Sequence, residues 1–162
     1  TGTGPVLKEM DVAALARSVT ADLLPKAVAL QKDLGYEGPD RALALSEEVL
    51  LGELLRNLVD NAITHCPPDT VVTVRVTLSI PDGIRLAVID AGPRISDADL
   101  ALLLARFDPA SRSGEARTGT RGLGLHIVAE IARALRADMQ LERGEYGRGL
   151  AWSVRLPAAP SS

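Results

Sequence analysis

Apolar positions along this 162-residue chain change period several times, and each change marks an element. The clearest pattern lies between Leu51 and Ile63. There Leu51, Leu54, Leu55, Leu58, Val59, Ala62 and Ile63 recur at i, i+3 and i+4 and form the apolar stripe of a helix. Glu53, Asn57 and Asn61 recur at every fourth position, so they stack along the shoulder of that stripe. Ser46 stands where it would cap this helix, Glu47 and Glu48 favour its first turn, and Pro67 and Pro68 stop it. Upstream, Val6 to Met10 reads as a short strand. Asp11 then caps an Ala/Leu-rich helix to about Asp33, in which Pro25 marks a kink or a late start. Pro39 and Asp40 make a turn before the short apolar run Ala42 to Leu45. Val71 to Ile80 and Ile84 to Ile89 alternate about Pro81-Asp82-Gly83, which predicts a hairpin. Asp97 to Arg106 reads as a short helix, Asp108 to Arg121 as a loop, and Leu123 to Ala137 as a further helix. Two last strands, near Met139 to Arg143 and Leu150 to Leu156, flank a glycine-rich turn at Gly144 to Gly149. The expected fold is α/β, a two-layer sandwich with three longer helices on one face of a mixed sheet, in one domain over residues 1–162.

Composition narrows the classes. Hydrophobic residues are 46% of the chain and aromatics only 2%, so the core has to be built from Leu, Val, Ile and Ala. A formal charge of −3 offers no positive excess for phosphodiester backbones, which argues against a nucleic-acid partner. The single cysteine, Cys66, excludes an internal disulfide and fits a reducing compartment. No apolar run approaches the roughly 18 residues of a membrane-spanning helix, so this fragment is expected to make no membrane contact.

A polar ridge beside a buried stripe suits the wall of a site, although Asn and Glu on a helix shoulder are more often merely solvated. Three further segments carry chemistry. Asp90-Ala91-Gly92-Pro93-Arg94-Ile95 ends the second hairpin strand, and a carboxylate followed by glycine suits a pocket for a flat ring. By itself the hexapeptide more often means an ordinary Asp-x-Gly turn. Arg106-Phe107-Asp108-Pro109 opens the loop with the only phenylalanine, an apolar anchor or a hinge. Gly119-Thr120-Arg121-Gly122-Leu123-Gly124-Leu125 opens a helix, and backbone N–H groups at such an N-terminus bind phosphate oxygens. Between Arg106 and Arg121 four arginines oppose Asp108 and Glu115, which suits a lid that orders over an anion.

In order and spacing these segments resemble the nucleotide-binding signature of the histidine-kinase catalytic domains, within the superfamily shared with gyrase, the heat-shock chaperone ATPases and the mismatch-repair ATPases. Leu54-Leu55-Arg56-Asn57-Leu58-Val59-Asp60-Asn61-Ala62-Ile63 is similar to the asparagine segment of the transmembrane sensor kinases. The resemblance implies ATP and Mg²⁺ as cofactors, with Asn61 as metal ligand, Asn57 assisting, and both taking part in catalysis. It also implies that Asp90 accepts the adenine amino group beside Gly92 and Ile95, and that Phe107 anchors the lid. Arg121, Gly122, Leu123, Gly124 and Leu125 would then surround the phosphates. His65 falls where the family often has an aromatic residue near the adenine, a structural helix-end histidine being the alternative.

In the ATP-hydrolysing members a glutamate that activates water stands four residues before the metal-binding asparagine. Here Asn57 holds that place and cannot act as a general base, which favours phosphoryl transfer to a protein nucleophile. The only histidines, His65 and His126, fall inside the nucleotide-binding segments. The resemblance therefore implies an accepting histidine on a separate dimerisation domain, a response regulator served indirectly, and a cytosolic place in a membrane-anchored parent protein.

Three positions depart from the pattern. Arg94 replaces the second glycine of Asp-x-Gly-x-Gly, Thr64 stands where a Lys or Arg often reaches the phosphates, and Thr120 replaces the first glycine of Gly-x-Gly-Leu-Gly-Leu. A positive φ at Arg94 would carry about 1–2 kcal/mol of strain, so Arg94→Gly is expected to stabilise the fold. These departures motivate a second reading, a degenerate interaction module of the same fold. A third, a dinucleotide-binding oxidoreductase, rests on Thr118-Gly119 to Gly124, but polar residues rather than an apolar strand precede that turn.

Overall fold

A computed structural model describes residues 4–79, 83–107 and 120–159; for residues 79, 106, 107 and 120–124 it describes the backbone element only. The elements in chain order are β1 (Lys8–Asp11), α1 (Val12–Ala29), β2 (Asp33–Glu37), β3 (Leu43–Ser46) and α2 (Glu48–His65). The hairpin β4 (Val71–Ser79) and β5 (Gly83–Asp90), α3 (Asp97–Phe107), α4 (Thr120–Ala134), β6 (Asp138–Arg143) and β7 (Leu150–Leu156) follow.

Five strands make one sheet in the order β2-β4-β5-β7-β6, while β1 and β3 form a separate antiparallel pair. Within the large sheet β2 runs parallel to β4 and the other neighbours are antiparallel, so the sheet is mixed as expected. Alternation sorts the strands into two faces. Val72, Val74 and Val76 of β4, Ile84, Leu86 and Val88 of β5, and Trp152, Val154 and Leu156 of β7 are buried in the core with the stripe of α2. The opposite face carries Thr73, Arg75, Thr77 and Arg85, so the helices cover one side of the sheet and the architecture is two-layered. Eight residues of α2 are buried, among them Leu51, Leu54, Leu55 and Leu58. At roughly 1.5–3 kcal/mol for each large side chain, this stripe fixes how α2 lies on the sheet.

Asp11 ties the entry of α1 to the small sheet. Its Oδ1 accepts from Ala13 N at 3.1 Å, Ala14 N at 3.3 Å and Ala42 N at 3.0 Å. Burial alone pushes this carboxyl up, but the three backbone donors outweigh it and hold it below the usual aspartate value. Its contribution to stability is therefore present above the unfolded-state pKa and is lost as the pH falls through the folded-state value. Asp11→Ala is expected to cost about 1–2 kcal/mol, read as a lower urea midpoint with an unchanged slope.

Three local expectations shift. Ser46 does not cap α2: it is the last residue of β3, and Glu47 caps the helix by accepting from Val49 N at 2.8 Å and Leu50 N at 3.3 Å. The cap moves one residue on because Ser46 is committed to pairing with Lys8. The helix expected to reach Asp33 continues through Pro25 but ends at Ala29, and the residues after it form β2. The last helix runs from Thr120 to Ala134 rather than from Leu123 to Ala137. No helix among the described residues is long and apolar enough to cross a membrane.

Candidate ligand site

Where α2 ends, β5 ends and β7 begins, the fold leaves a cavity of about 510 Å³, within the range of small-molecule sites. Asn61, Ala62, His65, Cys66 and Pro67 form the wall from α2; Asp90 and residues 93–96 form a second wall. Gly149, Leu150 and Trp152 close it from β7, with Asp99 of α3 at the rim. Leu150, Ile95, Ala62 and Trp152 give this wall apolar faces that suit a flat ring, and Asp90 is the carboxylate among them.

Each oxygen of Asp90 is held by a backbone donor from a different direction. Gly92 N donates to Oδ1 at 3.0 Å and Leu150 N to Oδ2 at 3.3 Å. Burial raises the carboxyl above the usual aspartate value, and the two amides offset only part of that shift. Gly92 is small because of this carboxylate: a Cβ there would lie 2.9 Å from Asp90 Oδ1. The loop after β5 is pinned elsewhere as well. Gly149 N donates to Pro93 O at 3.1 Å, Arg143 Nη2 donates to Ile95 O at 3.0 Å and pairs with Asp97 at 2.6 Å, and Ser96 Oγ accepts from Asp99 N at 3.0 Å.

From the Asp90 end the polar ridge of α2 leads away in steps of one turn, through His65 and Asn61 to Asn57. Eight residues at 1.5 Å each span about 12 Å, comparable to the reach from a base to its phosphates. Asn61 and His65 line the cavity; Asn57, two turns from His65, does not. Asn57 Nδ2 donates to Glu53 O at 2.8 Å, so its amide nitrogen is committed to the helix and its oxygen is the atom it can offer a ligand. Cys66 lines the wall beside Asp90, and burial first, then the negative charge of Asp90, raises its thiol above the ordinary value despite a bond with Thr70. A protonated thiol is a poor nucleophile, and Cys66 stands here as a wall residue.

The remaining expected site residues divide in two. Leu125 is buried in the core. The side chains of Phe107, Arg121 and Leu123, with Gly122 and Gly124, and the whole loop from 108 to 119 lie outside the described residues. Arg94 lines the cavity, but it is not among the non-glycine residues with positive φ, which are Gln31, Asp69, Arg136 and Tyr146 among the described residues. The turn is made by the Asp90–Gly92 bond and the fixed φ of Pro93, so residue 94 is not forced into the left-handed region. Arg94 therefore carries no such strain, and Arg94→Gly has none to relieve. Gly149, Leu150, Trp152 and Arg143 were missed as site residues, since only the alternation of β7 hinted that Leu150 and Trp152 face inward.

A family model described as histidine kinase-, DNA gyrase B- and HSP90-like ATPase matches residues 46–160, most of the chain. The chain belongs to this family. Among curated members it is 32% identical over 161 residues to the sensor protein SphS of Synechococcus elongatus, which covers 96% of this chain and 39% of that protein. It is 33% identical over 155 residues to the sensor protein CreC of Escherichia coli, covering 93% and 31%. The chain thus spans only about a third of the length of these relatives. Among solved members of the fold, the catalytic domain of histidine kinase ThkA superposes with a TM-score of 0.76 at 21% identity, covering 96% of this chain and 99% of that one. The mycobacterial sensor histidine kinase MprB gives 0.74 at 21% identity, covering 96% and 100%.

Proposed function

We propose that this chain is the ATP-binding catalytic domain of a sensor histidine kinase, holding Mg-ATP for γ-phosphoryl transfer to a histidine on a separate dimerisation domain. The observation that carries the reading is the cavity in which Asp90, buried and held by two backbone amides, stands at one end of a ridge that runs through His65 and Asn61. Asp90 accepts the exocyclic amino group of adenine, the apolar wall takes the ring, and Asn61, with Asn57 behind it, faces the phosphates. Response-regulator signalling, and a cytosolic position within a membrane-anchored parent, follow from the same reading.

Among the described residues no three His, Cys, Asp or Glu side chains are grouped to hold a metal. The donor on offer is the amide oxygen of Asn61, a hard ligand, and an ion held there would take its other ligands from water and phosphate. That set fits Mg²⁺, which binds nucleotides in this way and would neutralise charge developing on the β- and γ-phosphate oxygens. The Asn57 carboxamide does not accept a proton at accessible pH, so it does not activate water. The accepting imidazole nitrogen attacks the γ-phosphorus, the bond to the β–γ bridging oxygen breaks, and ADP leaves.

Base choice tests the reading. Guanine places a carbonyl oxygen where adenine has its amino group, setting two acceptors face to face at Asp90. Such a mismatch costs on the order of 1–3 kcal/mol, so an ATP analogue should outcompete its GTP counterpart by at least about tenfold in a calorimetric titration. Equal binding of the two would remove Asp90 from the base site.

A further inference from the structure

We infer that Gly149, together with the amide of Leu150, is the positioning element that sets the Asp90 carboxylate for base recognition. The inference rests on the adenine-nucleotide reading above. Gly149 has a φ of +61°, in the left-handed region that favours glycine. A Cβ on it would fall within 3.0 Å of both the backbone oxygen and Oδ1 of Asp90, closer than real Cβ atoms come. The carboxylate therefore occupies the space that any side chain at position 149 would need. The backbone around Gly149 is fixed from both ends: its N–H donates to Pro93 O at 3.1 Å and its carbonyl accepts from Gly144 N at 3.1 Å. The next amide, Leu150 N, holds Asp90 Oδ2 at 3.3 Å while Gly92 N holds Oδ1 at 3.0 Å. With both oxygens anchored on the protein side, the remaining lone pairs are those turned toward the cavity. A side chain at position 149 would push on both the carboxylate and the backbone of Asp90, and so move the acceptor off that geometry.

Gly147 is a control for the left-handed backbone alone. Its φ is +74°, so alanine meets the same kind of backbone penalty there. A Cβ on Gly147 would meet Arg94 Nη1 at 2.7 Å, the end of a flexible side chain, and nothing of Asp90. The experiment compares the unsubstituted protein, Gly149→Ala and Gly147→Ala by calorimetric titration with non-hydrolysable ATP and GTP analogues. Gly149→Ala is expected to lose at least about tenfold in affinity for the ATP analogue and most of its preference over the GTP analogue, the scale of a lost charge-assisted hydrogen bond. Gly147→Ala should keep affinity and preference within about threefold, since additive strain remote from the carboxylate leaves base choice alone. Equal losses in the two variants, or weaker binding by Gly149→Ala at full ATP preference, would overturn the positioning role while leaving the base site standing. An unsubstituted protein that binds neither analogue would overturn the base site itself. A second measurement does not depend on the folding of any variant. In the unsubstituted protein the amide resonances of Gly92 and Leu150 should move together as ADP is added, and a Leu150 amide unmoved at saturation would overturn the inference.

Discussion

Asparagine in place of Asp90 is expected to weaken binding of an ATP analogue by about 10- to 150-fold, the worth of a charge-assisted hydrogen bond of roughly 1.5–3 kcal/mol. An amide is nearly the size of the carboxylate, but one of its two ends is a donor. If that end faces Leu150 N or Gly92 N, two donors oppose each other; if it faces the cavity, it opposes the adenine amino group. In the empty fold two effects oppose each other. Burial holds the Asp90 carboxyl above its ordinary value, so its ionised form opposes folding. The associated stability is complete below the unfolded-state pKa and is lost as the pH rises through the folded-state value. At neutral pH the substitution removes that cost, but it also sets an amide N–H against Leu150 N or Gly92 N, so the variant should melt lower than the parent. Affinity runs the other way with pH: it should decline on acidification through the raised pKa, because a neutral carboxyl is a weaker acceptor. Titrations and melting curves at neutral and mildly acidic pH check both signs, and a variant that binds within threefold of the parent would remove the carboxylate from recognition.

Phosphoryl transfer should require a second polypeptide. Incubated with labelled ATP, this chain is expected to acquire no stable phosphate on His65 or His126. Nor should it hydrolyse ATP at a rate like that of the gyrase-type enzymes, because Asn57 offers no general base. Nε2 of His126 lies 3.3 Å from Glu130 Oε2 on its own helix, and His126 is not part of the cavity wall. Supplying the dimerisation segment of the same parent protein should place label on that segment. Asn61→Ala should then reduce the labelling rate by about 100-fold or more, the scale of losing one group that acts on transition-state charge. Acid-labile phosphate on His65 or His126, or full labelling by the Asn61 variant, would contradict the assignment.

What the sequence determined by itself is what local chemistry decides. The two faces of α2 were legible because a helix of 3.6 residues per turn brings Leu51, Leu54, Leu55 and Leu58 to one side and Asn57 and Asn61 to its shoulder, whatever they pack against. Strand β7 runs from Leu150 to Leu156 as its alternation predicts, and β4 and β5 pair antiparallel from Val72 with Asp90 to Ser79 with Gly83. Asp90 was singled out by its place at a strand end before a glycine. What only the tertiary structure decided are the relations between distant segments. The five residues of β2, interrupted by Gly35, carry too weak a pattern to be read, and they become a strand by pairing in parallel with β4. Asn61 reaches the cavity wall and Asn57 does not, because that depends on where β5 and β7 end relative to α2. Arg94 is unstrained because its turn is closed by Asp90 and Pro93 rather than by a left-handed residue. Gly149 could not be assigned from its neighbours, since Asp90, the group that excludes a side chain there, is brought against it only when β5 and β7 pair across the sheet.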